Sequence, residues 1–286
     1  MERLGFTLRL VGGGVCIASL ALLSACASPS KRVEERAADL GFGDVTLQGT
    51  SFTHLAYEAG DSRRSTTLHV YVEHDGTPWL FNTVVSEDPT PRNPIALELM
   101  ARDQGPRLFL GRPCYFEFRH ETACNAVLWT DARYSDEVVK SMDAALRSYL
   151  STRSFQRIVF IGYSGGGTIA WLMAERFPET SAVVTVAANL DVDYWANIHG
   201  YSPLGASLNP ALRAPLPPGI QQLHYVGGRD QNVPPSVVHS FAMRHPEARV
   251  VQLRDFDHKC CWIQEWPQLL RSAETSAPVA AYAVLD

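Results

Sequence analysis

The chain has no basic stripe, no internal repeat and no low-complexity tract. It also has no apolar run long enough for a stable transmembrane span. Charge is sparse and mixed: 25 Lys and Arg face 30 Asp and Glu in 286 residues, for a net charge of −5. Without a cationic face, nucleic acid is excluded as a partner class. There are only 6 cysteines, and nothing near them supplies the further ligands of a zinc-like spacing, so no metal and no cofactor are expected. What the chain does have is 46% hydrophobic residues, enough to bury one sizeable core.

The most informative stretch is Ile158-Val159-Phe160-Ile161 running into Gly162-Tyr163-Ser164-Gly165-Gly166-Gly167. The apolar, β-branched run predicts a strand buried on both faces. The glycine-flanked serine after it predicts a sharp strand-to-helix turn, and Ala170 to Ala174 continue as a helix ending near Phe177-Pro178. Side chains at Gly162 or Gly166 would collide with so crowded a backbone. Alone, Gly-x-Ser-x-Gly arises by chance in roughly one chain in ten of this length, so its place between strand and helix is what gives it weight.

Around this turn, strands are expected at Val45 to Glu58 (edge strands, loosely broken at Gly49), Thr67–Glu73, Arg107–Leu110, Ala182–Ala188, Gln221–Val226 and, last, Arg249–Leu253. Helices are expected at Ile95–Arg102, Ser135–Leu150 with Ser135 as cap, Ser236–Arg244 and Trp262–Leu270 despite Pro267. Residues 89–94, with three prolines, read as a rigid loop. Alternating strands and helices imply an α/β fold with a mostly parallel central sheet and helices on both faces. Residues 189–218 form a small, loop-rich, lid-like insert before the strand that leads to Asp230, too short for a second domain.

A serine hydroxyl is a poor nucleophile at neutral pH and needs a base, which in turn needs an orienting acid. Asp230 follows a strand ending in Gly227-Gly228, and His258 follows the last expected strand by five residues. Asp191, Asp193, Asp255 and Asp257 are alternative orienting acids. The order Ser164…Asp230…His258, each after a strand, resembles the α/β-hydrolase family over nearly the whole mature sequence. That resemblance implies Ser164 as nucleophile, His258 as general base and then acid, and Asp230 as the residue fixing the imidazole tautomer. The oxyanion donors are expected to be the Gly165 N–H and one from the His74-Asp75-Gly76-Thr77 loop, either Gly76 or Thr77. The family usually shows His-Gly there, and the extra residue here blurs the register. His74 itself reads as a loop-shaping residue.

Glu73…Asp75-Gly76, residues 89–94, Arg112-Pro113-Cys114-Tyr115 and Trp129-Thr130…Arg133-Tyr134-Ser135 together are similar to a group of uncharacterised bacterial lipoprotein-type serine hydrolases. Arg92, Arg112 and Arg133 read as structural clamps ahead of substrate-anion ligands.

At the N-terminus, Arg3 and Arg9 precede a short apolar stretch, Leu10 to Leu23, and then Leu23-Ser24-Ala25-Cys26. The last four residues resemble the bacterial lipobox. This implies a signal peptide at 1–25, lipidation of Cys26, a lipid-anchored tether at 26–40 and the α/β-hydrolase domain at 41–286. Ala27 after the cysteine favours the outer membrane facing the periplasm. An ordinary cleaved signal with an incidental Cys26 is the plainer alternative. In an exported protein the remaining cysteines favour a Cys114–Cys124 disulfide closing a short loop, with Cys260 and Cys261 either bonded to each other or free.

The function expected is hydrolysis of a carboxylic ester or related acyl bond of a small-molecule substrate, with the membrane as a partner through the lipidated N-terminus. A serine peptidase of the same fold and a non-catalytic binding lipoprotein are the alternatives. Tyr194, Trp195, Tyr201 and Leu204 are candidates for lining an acyl pocket. Oligomeric state is not legible.

Overall fold

The computed structural model describes residues 28–81, 83–275 and 282–285, so the signal stretch and Cys26 lie outside the described residues. Helix α1 (Pro29–Asp39) replaces the expected tether. Ser28 caps it by accepting the Lys31 N–H at 3.2 Å, and proline is tolerated in its first turn. Val33 and Ala37, one turn apart, are buried, and Arg36 forks onto Glu98 at 2.5 and 2.8 Å. These signals were present in the sequence: a capping serine, Pro29, and an i,i+4 apolar pair.

The strands are β1 (Gly43–Gln48), β2 (Thr53–Ala59), β3 (Thr67–Val72), β4 (Trp79–Leu80), β5 (Val84–Val85), β6 (Arg107–Leu110), β7 (Arg157–Tyr163), β8 (Thr180–Val186), β9 (Gln221–Gly227), β10 (Arg249–Leu253) and β11 (Tyr282–Leu285). Nine of them form one sheet in the order β1-β2-β6-β3-β7-β8-β9-β10-β11, while β4 and β5 make a separate hairpin. The β1–β2 and β2–β6 pairings are antiparallel, and every other pairing in the large sheet is parallel. Of the two expected edge strands only β1 is an edge, because β2 also pairs with β6. β10 is not the last strand either: β11 pairs beyond it in parallel.

Helices α2 (Ile95–Ala101), α3 (Asp136–Leu150), α4 (Gly165–Ala174), α5 (Val192–His199), α6 (Pro235–Ala242) and α7 (Trp262–Thr275) cover the sheet. Successive strand residues point to opposite faces, and β9 shows which helices lie where. The His224 ring meets Phe241 of α6, whereas Tyr225 donates its hydroxyl to the Leu269 carbonyl of α7 at 2.8 Å. Trp171 of α4 also meets Phe241, which puts α4 with α6, and α2 packs with α7. Ile158 and Phe160 on one face of β7 and Ile161 and Tyr163 on the other are buried, while Val159 is half-buried.

The 189–218 insert is less irregular than its composition suggests. Asp191 caps α5 by accepting the Tyr194 N–H, and Gly200, at φ 65°, ends the helix in the left-handed region that favours glycine. Cys114 and Cys124 are disulfide-bonded, as expected, and Cys260 is bonded to Cys261. Among the described residues no helix is long and apolar enough to cross a membrane.

Candidate active site

The central strand β7 delivers Tyr163 to the carboxyl edge of the sheet, and α4 starts two residues later. Ser164, between them, has φ 52° and ψ −126°, a backbone conformation that is costly for a residue with a β-carbon. Its N–H is held by the Val186 carbonyl at 2.9 Å. A β-carbon at Gly162 would collide with the Gly166 carbonyl, and one at Gly166 with the Val72 and Glu73 carbonyls. Backbone cannot retreat as a flexible side chain does. Gly162→Ala is therefore expected to cost about 1–3 kcal/mol of stability and to tilt the serine, measured as a lowered urea midpoint.

Asp230 follows β9 and is 1% exposed. Its Oδ1 accepts the N–H groups of Asn232 and Val233, both at 2.8 Å. Its Oδ2 accepts the His258 Nδ1–H at 2.7 Å. With Nδ1 protonated, Nε2 carries the lone pair, and the Asn232 amide nitrogen donates to it at 3.0 Å. His258 is also fixed through its backbone: the Tyr163 hydroxyl donates to its carbonyl at 2.7 Å, and the two rings lie 5.3 Å apart. The histidine thus rests on the residue immediately before the serine. Ser164 is 8% exposed, and its hydroxyl has no hydrogen-bond partner among the described residues.

The alternative acids are engaged elsewhere. Asp191 accepts from Asn209, Ser240 and Arg244; Asp193 accepts from Asn209; Asp255 pairs with Arg229; Asp257 accepts the N–H groups of Lys259 and Cys260.

The loop after β3 departs from the expected donor arrangement. The Gly76 N–H donates to His74 Nδ1 at 3.0 Å, and the Thr77 N–H to the Pro89 carbonyl at 2.9 Å. Both expected donors are therefore already used. The His74 N–H is taken as well, by Glu73 at 3.1 Å, which leaves the Asp75 N–H as the loop's donor without a partner among the described residues. His74 shapes the loop as expected. Its Nε2 meets the Asn93 carbonyl at 3.1 Å, and burial pulls its pKa down to about 4, keeping it neutral.

Asp75 is the hub of this loop. Its Oδ1 accepts from Arg112 at 2.5 Å, and its Oδ2 accepts from Tyr134 at 2.5 Å and Arg133 at 3.2 Å. Tyr115 donates to its carbonyl at 3.1 Å. The carboxylate and the Tyr134 hydroxyl fill the space that a side chain at Gly165 would need, so the cluster backs directly onto the start of α4. Burial by itself would raise the Asp75 pKa, but the two guanidiniums outweigh it and hold it at about 2. Arg112 and Arg133 act as the clamps the sequence suggested. Just behind, Glu73 is buried at the start of α2 and accepts the Ala96 and Leu97 N–H groups. Desolvation nevertheless pushes its carboxyl up to about 8.

The insert reaches the other rim of the site. Trp195 donates to the Asn232 carbonyl at 2.7 Å, and His199 Nε2 meets the same oxygen at 2.9 Å. Trp195, His199 and Tyr201 pack ring on ring, and Leu204 is buried. Of the four pocket candidates, Tyr194 and Tyr201 are the exposed ones.

A serine on a strained strand-to-helix turn, followed by an acid and a histidine after later parallel strands, sits on an α/β-hydrolase fold. The dienelactone hydrolase family model matches residues 109–193, from the end of β6 through the elbow to the start of α5. An esterase from Pyrococcus furiosus superposes with a TM-score of 0.55 at 14% identity, covering 82% of this chain and 91% of its own. A bacterial membrane phospholipase A superposes at 0.54 and 14% identity, covering 86% and 92%. At that identity the shared property is the fold. No functionally curated protein matches the sequence.

Proposed function

We propose that the protein is a serine hydrolase that cleaves a carboxylic ester or related acyl bond through an acyl-enzyme, on a chain anchored to the bacterial cell envelope through Cys26. The observation that carries the catalytic reading is the His258 Nδ1–Asp230 Oδ2 bond at 2.7 Å, held against the elbow by the Tyr163 hydroxyl.

In this reading, substrate entry displaces the Asn232 amide from His258 Nε2, and that lone pair takes the Ser164 proton as Oγ attacks the acyl carbon. Asp230 stays ionised and stabilises the imidazolium. The oxyanion lies between the Gly165 N–H, at the positive end of α4, and the Asp75 N–H. The imidazolium then protonates the departing alcohol, leaving an acyl group on Ser164. Water, deprotonated by the same Nε2, hydrolyses that ester and restores the serine. The buried Asp75–Arg112–Arg133 cluster carries a net positive charge behind the oxyanion, which favours the transition state over the neutral ester.

A panel of p-nitrophenyl esters of graded chain length, run beside aminoacyl arylamides, tests the substrate class. Ester turnover exceeding arylamide turnover by orders of magnitude is expected. The reverse order would move the reading to a peptidase, which the same triad also serves. The anchoring is tested separately by mass spectrometry of the mature N-terminal peptide. A diacylated Cys26 is expected, and an unmodified one, or cleavage elsewhere, would remove the lipoprotein reading. The outer membrane facing the periplasm is the location this reading carries, since Ala27 follows the cysteine.

A further inference from the structure

The β4–β5 hairpin exposes three large apolar side chains within six residues. Trp79 is 40% exposed, Phe81 92% and Val84 54%. Val85 packs partly against the core and Leu80 is half-buried, while Trp79, Phe81 and Val84 face the surroundings. Residues 76–86 contain no Asp, Glu, Lys or Arg. An exposed apolar tip without charge is a poor fit to water and a good fit to the interface of a bilayer, where tryptophan in particular is favoured.

Its position says which surface it meets. The Ser86 N–H closes the root of the hairpin on the Pro78 carbonyl at 2.9 Å, and the Ser86 hydroxyl donates to the Asp88 carbonyl at 2.8 Å. Ser30, in the first turn of α1, donates to Asp88 Oδ2 at 3.3 Å and meets the Thr90 hydroxyl at 3.2 Å. Arg119 locks this junction by donating to Ser30 at 3.2 Å. Cys26 is four residues before Ser30, and four extended residues span at most about 14 Å. Any lipid on Cys26 is therefore confined to the neighbourhood of the hairpin root.

The same loop touches the candidate active site, since the Pro89 carbonyl holds the Thr77 N–H. On the side of His258, the α5 segment exposes Ile198 and, with Gly200 ending the helix, Tyr201, while Trp195 and His199 hold Asn232 beside His258. Exposed apolar groups thus lie both in the hairpin joined to the Thr77 loop and in the segment that seats Asn232.

We propose that Trp79, Phe81 and Val84 insert into the interfacial region of the lipid bilayer that holds the Cys26 acyl chains, so that the catalytic face lies against the membrane. The hairpin adds a second membrane contact to the lipid anchor and orients the domain, which a tether alone does not do. This rests on the reading of Cys26 as the lipidated residue, but not on the identity of the nucleophile.

The test uses the full lipidated chain in phosphatidylethanolamine–phosphatidylglycerol proteoliposomes, with Phe81→Trp as an added reporter. Expected is extra tryptophan emission at short wavelength, quenched by phospholipids brominated along their acyl chains. Added emission at the water-exposed wavelength, unaffected by those lipids, would overturn the proposal. A second arm removes the anchor: Cys26→Ala chain is expected to float weakly with the same vesicles. Adding Phe81→Asp and Val84→Asp should reduce that binding at least tenfold with the thermal midpoint unchanged. Equal flotation with and without the aspartates overturns the proposal, as does a loss of self-association with no loss of lipid binding, which would make the hairpin a contact between copies. Failure of the lipoprotein reading would show instead in the mass of the N-terminal peptide, and the Cys26→Ala arm reads the hairpin without the anchor.

Discussion

Replacing Ser164 with alanine is expected to lower ester turnover by about five to six orders of magnitude while leaving the fold intact. On the proposed mechanism the acyl-enzyme has no other place to form. His258 and Asp230 remain coupled without the hydroxyl, because their bond and the Tyr163 clasp do not involve it. Residual catalysis would come from the oxyanion donors and binding alone, and knocking out a triad nucleophile elsewhere has effects of that size. Steady-state kinetics with a p-nitrophenyl ester checks the drop, and circular dichroism checks the fold. Ser164→Gly should be as inactive but more stable than wild type, by about 1 kcal/mol, because φ 52° costs glycine nothing. The two variants together separate what the serine does from what its backbone costs.

The second large effect concerns Asp75. Asp75→Ala is expected to destabilise the protein by about 3–5 kcal/mol, because it leaves the buried guanidiniums of Arg112 and Arg133 without their shared counter-charge. Against a typical stability of about 5–15 kcal/mol this is a large fraction. The loss has a pH signature. A carboxyl held at about 2 in the folded protein, below its ordinary 3.8, contributes stability above pH 4 that is lost as pH falls through 2. Over that window wild type should lose about 2 kcal/mol that the variant has already lost. Urea unfolding at pH 7 and near pH 2.5 checks both: the gap between wild type and variant should narrow in acid.

The sheet and the three triad candidates were legible because each rests on local pattern. The run Ile158–Ile161 announces a buried strand, the glycines announce the elbow, and Asp230 and His258 follow recognisable strands. Helix α1 was also legible, since Ser28, Pro29, Val33 and Ala37 are its cap, first turn and buried face, although the segment follows the lipobox where a tether is expected. Strand β11 was not, because its place depends on β10 offering an edge rather than on its own periodicity.

Arg112 and Arg133 read as clamps in the sequence, but their closure on Asp75 was not legible there. Arg112, Arg133 and Tyr134 stand 37, 58 and 59 residues away, and only the fold brings them to one carboxylate. That the N–H groups of the expected donors Gly76 and Thr77 are already bonded was illegible for a related reason. Whether an N–H is free depends on which acceptor the fold brings to it, here His74 Nδ1 and the Pro89 carbonyl, and spacing does not encode that. Nothing in the sequence after Asp230 marks Asn232. Its role at His258 Nε2 exists because Trp195 and His199 of the insert seat it there.

Ser164 is proposed as a nucleophile activated by His258 and Asp230. Labelling the purified chain with a fluorophosphonate, digesting it and sequencing the modified peptide by mass spectrometry tests this most directly. The account predicts one adduct, on Ser164, whose rate of formation falls by orders of magnitude in His258→Ala. An adduct on another serine, or one on Ser164 that forms equally fast without His258, would contradict it.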